Sequence, residues 1–241
     1  MSIDLSVATQ DVPIHALVPA AGQGSRSGLA LPKQYALVHG EPVLAHTLRA
    51  LRTDVRIASI QLVLADADRD FERFDWSAFA NCLAVLRCGG DTRAQSVLNG
   101  LTYAHGLGTN DWILVHDAAR PCLAAGDLSR LIDEALNDPV GAILAAPVAD
   151  TLKRADGAGR IRTTVDRSAL WHALTPQMFR HRALLAALSA ACVAGEAPTD
   201  EAAAMERQGL MARLVHGSAR NFKITYAEDL DLAARLLEQT R

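Results

Sequence analysis

The feature that most constrains the fold of this chain is a repeated alternation between short apolar runs and amphipathic segments across residues 15–149. The apolar runs, such as HALVPAA and IASIQLVLAD, have the length and composition of buried β-strands. The segments between them, such as EPVLAHTLRALRT, carry apolar residues at helical spacing. Strands that alternate with helices form parallel sheets with crossover helices. The sequence therefore predicts an α/β fold with a doubly wound, mostly parallel sheet.

Length and composition narrow the function classes. A chain of 241 residues fits a single domain, and 24 basic against 27 acidic residues leave a net charge of −3. That balance excludes a broad basic surface for nucleic acid. The longest apolar stretches are shorter than the roughly 20 residues that span a bilayer, and the first residues lack the pattern of a secretion signal. We therefore expect a cytoplasmic protein with no nucleic-acid and no membrane partner.

Ligands of doubly wound sheets bind at the carboxyl ends of the strands, so the residues after each apolar run are the candidates for a site. The first such stretch is AAGQGSRSGLALPK, a glycine-rich loop that contains Arg26 and ends in Lys33. Glycine lets backbone N–H groups approach an anion, and the two cations supply charge. The loop therefore predicts a phosphate site.

Several interpretations of this loop stay open from the residues alone. A dinucleotide fingerprint fits the first two glycines and Asp66 at the end of the second strand, but Ser27 occupies the third glycine position. A loop around a nucleoside triphosphate, with Arg26 and Lys33 at its two ends, suits a polyphosphate leaving group. The third interpretation is a strand-to-helix turn whose glycines serve only the backbone geometry.

Other strand ends carry further candidates. Asp117, in LVHDAARP, is placed either to hold Mg²⁺ or to cap the next turn. In CGGDTRAQSV the two glycines and the hydroxyl of Ser96 suit recognition of a base edge, while Asp91 or Thr92 is expected to cap a helix. Arg167 has no local structural role that we can name, which makes it a candidate for binding an anion.

The pattern changes after residue 147. Two alternating arms around DGAG predict a β-hairpin, a β-arm over about residues 148–172. Because an isolated hairpin is marginally stable in water, we expect it to lean on a partner subunit. Further on, Thr199 is expected to cap a helix, NFKIT to form a strand that contains Lys223, and Thr225 to cap the last helix together with Glu228.

Eight short motifs occur in a fixed order between Pro19 and Thr225: PAAGQGSR, PKQY, GGDTRAQSV, VHDAARP, APVADTLKR, TVDRSALWHALTPQ, TDEA and NFKIT. In these motifs the chain resembles the family of 2-C-methyl-D-erythritol 4-phosphate cytidylyltransferases. The resemblance implies one nucleotidyltransferase domain over residues 1–241, with a Rossmann-like sheet and a protruding β-arm used for homodimerisation. Family loops often have methionine where this chain has Ser27, so the packing beneath the loop is expected to differ. The end at Arg241 leaves no room for a fused cyclase, so a single activity is expected.

The resemblance also implies a reaction. CMP is transferred from CTP to 2-C-methyl-D-erythritol 4-phosphate, giving 4-diphosphocytidyl-2-C-methyl-D-erythritol and pyrophosphate. The acceptor phosphate attacks the α-phosphorus in line, with Mg²⁺ or another divalent cation present and no covalent enzyme intermediate.

The same resemblance implies a role for each matching residue. The implied catalytic residues are Arg26, Lys33 and Lys223. The implied nucleotide-binding residues are Ala20, Ala21, Gly22, Gly24, Gly90, Asp91 and Ser96. The implied acceptor-binding residues are Asp117, Arg120, Thr151, Arg167, Thr175 and Thr199, with Asp117 also as the metal ligand. Thr151 and Arg167, on the arm, would reach into the site of the other subunit.

Three rival functions stand beside this one. A cytidylyltransferase for ribitol 5-phosphate would differ only in the acceptor pocket, so a panel of acceptors separates the two. An oxidoreductase would be stabilised by NAD(P) rather than CTP. A catalytically silent nucleotide-binding protein would bind CTP without releasing pyrophosphate.

Overall fold

The computed structural model describes residues 12–22 and 31–238, and these form a mixed α/β domain around one large sheet. The strands are β1 Ile14–Pro19, β2 Leu37–Val38, β3 Glu41–Pro42, β4 Ile57–Leu64, β5 Leu83–Arg87, β6 Trp112–Val115, β7 Gly141–Pro147, β8 Leu152–Ala155, β9 Ile161–Val165, β10 Trp171–Arg180 and β11 Arg213–His216. The α-helices are α1 Val43–Leu51, α2 Arg93–Tyr103, α3 Ala125–Leu136, α4 His181–Val193, α5 Glu201–Glu206 and α6 Asp229–Glu238. Short 3₁₀ turns occupy Lys33–Tyr35, Phe71–Arg73 and Ser77–Phe79.

The central sheet has seven strands in the order β11-β7-β10-β6-β1-β4-β5. Strand β10 runs antiparallel to both of its neighbours, β6 and β7, and the other neighbouring pairs in this sheet are parallel. The predicted doubly wound, mostly parallel sheet is therefore confirmed. None of the helices in residues 12–22 and 31–238 has the length and apolar character needed to cross a bilayer.

Helices cover both faces of this sheet, which explains why its strands are nearly continuous apolar runs. Ala16 and Val18 of β1 pack into a cluster with residues of α1 and α3 on one face. Leu17, between them, packs into a second cluster with residues of α2, α4 and α5 on the opposite face. Successive side chains of a strand point to opposite faces. Because helices cover both faces of this sheet, the residues of β1 that point to either face are apolar.

Three local predictions near the chain's end are corrected by the structure. Helix α5 is capped by Asp200, whose carboxylate accepts from the N–H of Ala203, rather than by Thr199. Thr225 does not cap helix α6 together with Glu228, because the helix begins only at Asp229. Instead, the Asp229 carboxylate accepts from the N–H groups of Thr225 and Tyr226 at 2.7 and 2.8 Å. The segment NFKIT, residues 221–225, does not form the predicted strand. The N–H of Ile224 donates a hydrogen bond to the carbonyl oxygen of Ala119. The expectation that Asp91 or Thr92 caps α2 is confirmed, since Thr92 is the N-cap and its side chain accepts from the N–H of Gln95.

The predicted hairpin is present within the arm. Strands β8 and β9 pair antiparallel in a separate two-stranded sheet, and Asp156 accepts from the N–H groups of Ala158 and Arg160 in its turn. Nearly all of its side chains are exposed, including Ile161 at 69%. The use of this arm in dimerisation stays a prediction.

Gly141 supports a stability prediction, because its backbone has a φ of +127° and a Cβ there would lie 2.2 Å from the carbonyl oxygen of Met178 in β10. We expect Gly141→Ala to lower the free energy of unfolding by more than about 2 kcal/mol, since both the backbone and the neighbouring strand must shift. Urea unfolding followed by circular dichroism measures this change.

Gly157→Ala is the matched control, since nothing lies within 4 Å of a Cβ built at Gly157 in the hairpin turn. It should change the free energy of unfolding by less than about 0.5 kcal/mol. Equal effects of the two substitutions would contradict the steric argument.

Candidate functional site

A cavity with a volume of about 880 Å³ lies at the carboxyl ends of β1, β4, β5 and β6. In the sheet, β1 lies between β4 and β6. The chain passes from β1 through α1 to β4 on one side of β1, and later strands continue from β6 on the other side, so the order of strands reverses beside β1. The cavity opens at this switch point. Ligands of doubly wound sheets bind at such a point. The predicted location of the site is therefore occupied by a cavity of suitable size.

Many of the predicted site residues line this cavity. They are Ala20, Ala21, Gly22, Lys33, Gly90, Asp91, Ser96, Asp117 and Lys223. Gly24 and Arg26 lie outside the described residues, as does Ser27. The remaining predicted residues are described but lie outside the lining, namely Arg120, Thr151, Arg167, Thr175 and Thr199.

Gly89 and Gly90, which follow β5, line one wall of the cavity, and neither position has room for a Cβ. A Cβ at Gly89 would lie 2.3 Å from the Cβ of Ala21, and one at Gly90 would lie 2.3 Å from the Cγ of Gln95. The hydroxyl of Ser96, which is 3% exposed, accepts from the N–H of Gly90 at 3.1 Å. Ser96 thus holds the bend in place, and its contact with a base stays a prediction.

The carboxylate of Asp117, which lines the cavity, is surrounded by three cationic side chains. It accepts from Arg93 Nε at 2.8 Å and Arg120 Nε at 3.2 Å, and it lies 3.0 Å from the Nζ of Lys223. Burial alone would raise the pKa of this carboxyl. The charges of Arg93, Lys223 and Arg120 outweigh burial and hold the pKa of Asp117 well below its usual range. The group is therefore ionised at any physiological pH.

Arg93, which lines the cavity, forms a partly buried ion pair with Glu201 that sequence reasoning missed. Two nitrogens of the Arg93 guanidinium donate to the two oxygens of Glu201 at 2.7 and 3.0 Å, and the Glu201 side chain is 1% exposed. Burial disfavours the charge of Arg93, but the carboxylates of Glu201 and Asp117 outweigh it and raise the pKa of Arg93. The signal in the sequence was a glutamate on the apolar face of the short helix EAAAME.

The predicted metal role does not fit Asp117. Three cationic groups already contact its two oxygens, so a divalent cation there would face an ammonium and two guanidinium groups at short range. Elsewhere in residues 12–22 and 31–238 there is no cluster of three His, Cys, Asp or Glu side chains able to hold a metal. We assign no described residue as a metal ligand.

Thr175 and His116 fix the backbone at Asp117. The Thr175 hydroxyl accepts from the N–H of Asp117 at 3.1 Å and lies 3.0 Å from His116 Nδ1, whose Nε2 is 3.1 Å from the carbonyl oxygen of Arg120. These partners are satisfied when His116 is neutral with its proton on Nε2. Burial lowers the pKa of His116 to about 4, which favours that form. A direct contact between Thr175 and a substrate stays a prediction.

Arg120 also acts within the protein, since its Nη1 donates to the carbonyl oxygen of Asn221 at 2.7 Å. This bond ties the end of β6 to the segment that carries Lys223. Thr151 and Arg167 are exposed on the arm, and Thr199 is exposed before α5. The structure does not bring these three residues to the cavity of their own chain.

A mainly parallel sheet with a glycine-walled, cation-rich cavity at its switch point is the arrangement in which many α/β proteins bind nucleotides. Comparison with known proteins makes the class specific. Residues 14–239 match the family model described as 2-C-methyl-D-erythritol 4-phosphate cytidylyltransferase. The chain belongs to this family and is a nucleotidyltransferase.

Curated relatives and solved structures agree with the family model. The chain is 54% identical to the 2-C-methyl-D-erythritol 4-phosphate cytidylyltransferase of Laribacter hongkongensis, over 92% of this chain and 95% of the relative. It is 50% identical to that of Thiobacillus denitrificans, over 92% and 97%. A crystal structure of a 4-diphosphocytidyl-2C-methyl-D-erythritol synthase covers 94% of this chain and 100% of its own, with a TM-score of 0.81 and 39% identity. The family resemblance inferred from the motifs is confirmed, and the oxidoreductase interpretation is wrong.

The buried, neutral His116 leads to a prediction about pH. Its pKa in the folded protein, about 4, lies below the value of 6.5 for an unperturbed histidine. The unfolded chain therefore binds a proton that the native protein does not, so stability is full above pH 6.5 and falls as the pH decreases toward 4. We expect His116→Gln, whose amide can accept from Thr175 and donate to Arg120, to remove about 3 kcal/mol of this decrease.

Urea midpoints measured between pH 7 and pH 4 test this expectation. His105→Gln, at an exposed position, is the control and should keep the decrease seen in the unsubstituted protein. If the stability of His116→Gln falls with decreasing pH as steeply as that of the control, the titration of His116 does not cause the loss of stability at low pH.

Proposed function

We propose that this chain transfers the cytidylyl group of CTP to 2-C-methyl-D-erythritol 4-phosphate, giving 4-diphosphocytidyl-2-C-methyl-D-erythritol and pyrophosphate. The observation that carries the proposal is the convergence of Lys33, Lys223 and two glycine turns on one cavity at the switch point. Membership of the cytidylyltransferase family supplies the identity of the two substrates. The proposal keeps the cytoplasmic location, without nucleic-acid or membrane partners, that the sequence predicts.

In the proposed reaction an oxygen of the acceptor phosphate bonds to the α-phosphorus of CTP, and the bond from that phosphorus to the β-phosphate bridging oxygen breaks. Negative charge builds on the departing pyrophosphate, so fixed cations lower the barrier. We assign this task to Lys33 together with Arg26, and assign Lys223 to the α-phosphate. The acceptor phosphate is already an anion near neutral pH, so catalysis comes from positioning and charge rather than from a general base.

The two walls of the cavity suit different parts of the substrates. We assign CTP to the turn at Ala20–Gly22, whose continuation includes Gly24, and to the bend at Gly90 and Asp91 that Ser96 supports. An ionised carboxylate has about four acceptor positions, and three cations use three of those on Asp117. The fourth is available to a hydroxyl of the acceptor.

We propose that Mg²⁺, or another divalent cation, enters with the triphosphate rather than being held by Asp117. Bound to phosphate oxygens, such an ion offsets part of their charge. The crowding of cations around Asp117 supports this arrangement.

We also propose that the chain works as a homodimer joined through the β-arm. The arm exposes apolar side chains, including Ile161 at 69% and Trp171 at 39%, and a two-stranded hairpin needs a surface to lean on. Thr151 and Arg167 of one protomer would then bind the acceptor in the site of its partner. The acceptor-binding role that the family resemblance implies for Thr199 stays a prediction, because Thr199 lies outside the cavity lining of its own chain.

Pyrophosphate release tests the reaction. The four common nucleoside triphosphates, with Mg²⁺, are each combined with 2-C-methyl-D-erythritol 4-phosphate or ribitol 5-phosphate. We expect release only with CTP and the methylerythritol phosphate. Release with ribitol 5-phosphate instead would identify that polyol phosphate as the acceptor. CTP binding without any release of pyrophosphate would favour a catalytically silent nucleotide-binding protein.

The shared site is tested by mixing two impaired variants. Lys33→Ala should lower kcat at least about 100-fold, and Arg167→Ala should raise the KM for the acceptor with little effect on that for CTP. In a mixed dimer, one site combines the intact Lys33 of one protomer with the intact Arg167 of the other. With the acceptor below its KM, random exchange should restore about one quarter of the unsubstituted activity.

Arg69→Ala, at an exposed position outside the cavity lining, is the control for loss of a cation and should leave turnover unchanged. An inactive mixture of Lys33→Ala and Arg167→Ala, with subunit exchange verified by mass spectrometry, would show that the arm does not complete the partner's site.

A further inference from the structure

The side chain of Gln34 makes two hydrogen bonds that neither the motifs nor the family comparison assign. Its Nε2 donates to the carbonyl oxygen of Ala20 at 3.0 Å and to that of Gly22 at 3.2 Å. The residue is 4% exposed and lies in the same 3₁₀ turn as Lys33. One amide group thus bridges two carbonyls of the turn that follows β1.

We propose that Gln34 is a positioning residue that holds this turn with its N–H groups available to a phosphate. In a trans peptide the C=O and the next N–H point in opposite directions. Because the Ala20 carbonyl points to Gln34, the N–H of Ala21 points away from it. Within the described residues, the N–H groups of Ala21 and Gly22 have no protein acceptor, and both residues line the cavity. This inference rests on the proposed function, since the phosphate is that of CTP.

The segment that carries Gln34 is itself fixed to the body of the protein. The hydroxyl of the adjacent, fully buried Tyr35 donates to Asp68 at 2.9 Å, and the N–H of Val43 donates to the carbonyl oxygen of Ala36. The N–H of Ala20 donates to Val63 in β4 at 2.8 Å. With both segments anchored, the Gln34 bridge sets the spacing between Lys33 and the turn.

Glutamine is suited to this bridge because its amide nitrogen carries two donors. A glutamate in its place would present acceptors to two carbonyl oxygens, and its protonated form could donate to one of them at most. A methionine would keep the volume of the side chain and leave two carbonyls unbonded in a nearly dry place, which is costly.

The test compares Gln34→Met and Gln34→Glu with the unsubstituted protein in the pyrophosphate-release assay. We expect both variants to raise the KM for CTP and lower kcat by about tenfold each, because the turn no longer holds its amides in place. The KM for the acceptor should stay within about twofold, since the acceptor side of the cavity is unchanged.

The pH profile distinguishes positioning from general damage. As the pH decreases from 8 to 6, the activity of Gln34→Glu relative to the unsubstituted protein should rise, because a protonated Glu restores one hydrogen bond. The relative activity of Gln34→Met should stay flat. Gln61→Glu on β4 is the matched control for burying a carboxylate, since Gln61 is also 4% exposed and lies outside the cavity lining.

Unchanged kinetic constants in folded Gln34→Met would overturn the proposal, as would equal losses in Gln34→Glu and Gln61→Glu. Should Gln34→Glu not fold, Gln34→Met alone decides. If the unsubstituted protein releases no pyrophosphate, the proposed function fails separately. Calorimetry with inorganic triphosphate then decides: about tenfold weaker binding by Gln34→Met supports the bridge, and equal binding refutes it.

Discussion

The rest of the site depends on one buried carboxylate, that of Asp117, and on the cations that surround it. Removing ions from water costs several kcal/mol each, so such a cluster is stable only when every partner is in place. Its members come from the start of α2, the end of β6, α5 and the segment before α6. Arg93, Arg120 and Lys223 against Asp117 and Glu201 give three positive and two negative charges, a net charge of +1. The network thus joins distant parts of the chain and leaves a cavity that attracts anions.

Much of the fold could be predicted because its determinants are local. Strands that are apolar on both faces, separated by amphipathic helices, have few architectures open to them. Helix caps were less predictable. Thr199 and Asp200 are adjacent residues with similar capping preference, and Asp200 takes the position partly because Gln177 of β10 also donates to its carboxylate. The segment NFKIT alternates apolar and polar residues as a strand does, but in the described part of the chain it pairs with no strand.

The site was predictable where position along a strand determines it. Residues at the ends of β1, β5 and β6 had to meet at one edge of the sheet, and most of those predicted line the cavity. The pairing of Arg93 with Glu201 was not predictable, since 108 residues separate the partners. Ser96 and Thr175 show a second limit, because a hydroxyl that would suit a ligand equally suits a backbone N–H, and only the fold decides between them.

The β-arm is inserted between β7 and β10, which are antiparallel neighbours in the sheet. Its two ends therefore leave and re-enter the domain side by side, as in an enlarged hairpin loop. Closing a longer or shorter loop between fixed, adjacent ends changes the free energy only slowly with length. Insertions and deletions in the arm can thus accumulate without altering the strand register that places Thr175 beside Asp117. A change in arm length therefore leaves the cavity of the same protomer intact and alters only how far the arm reaches.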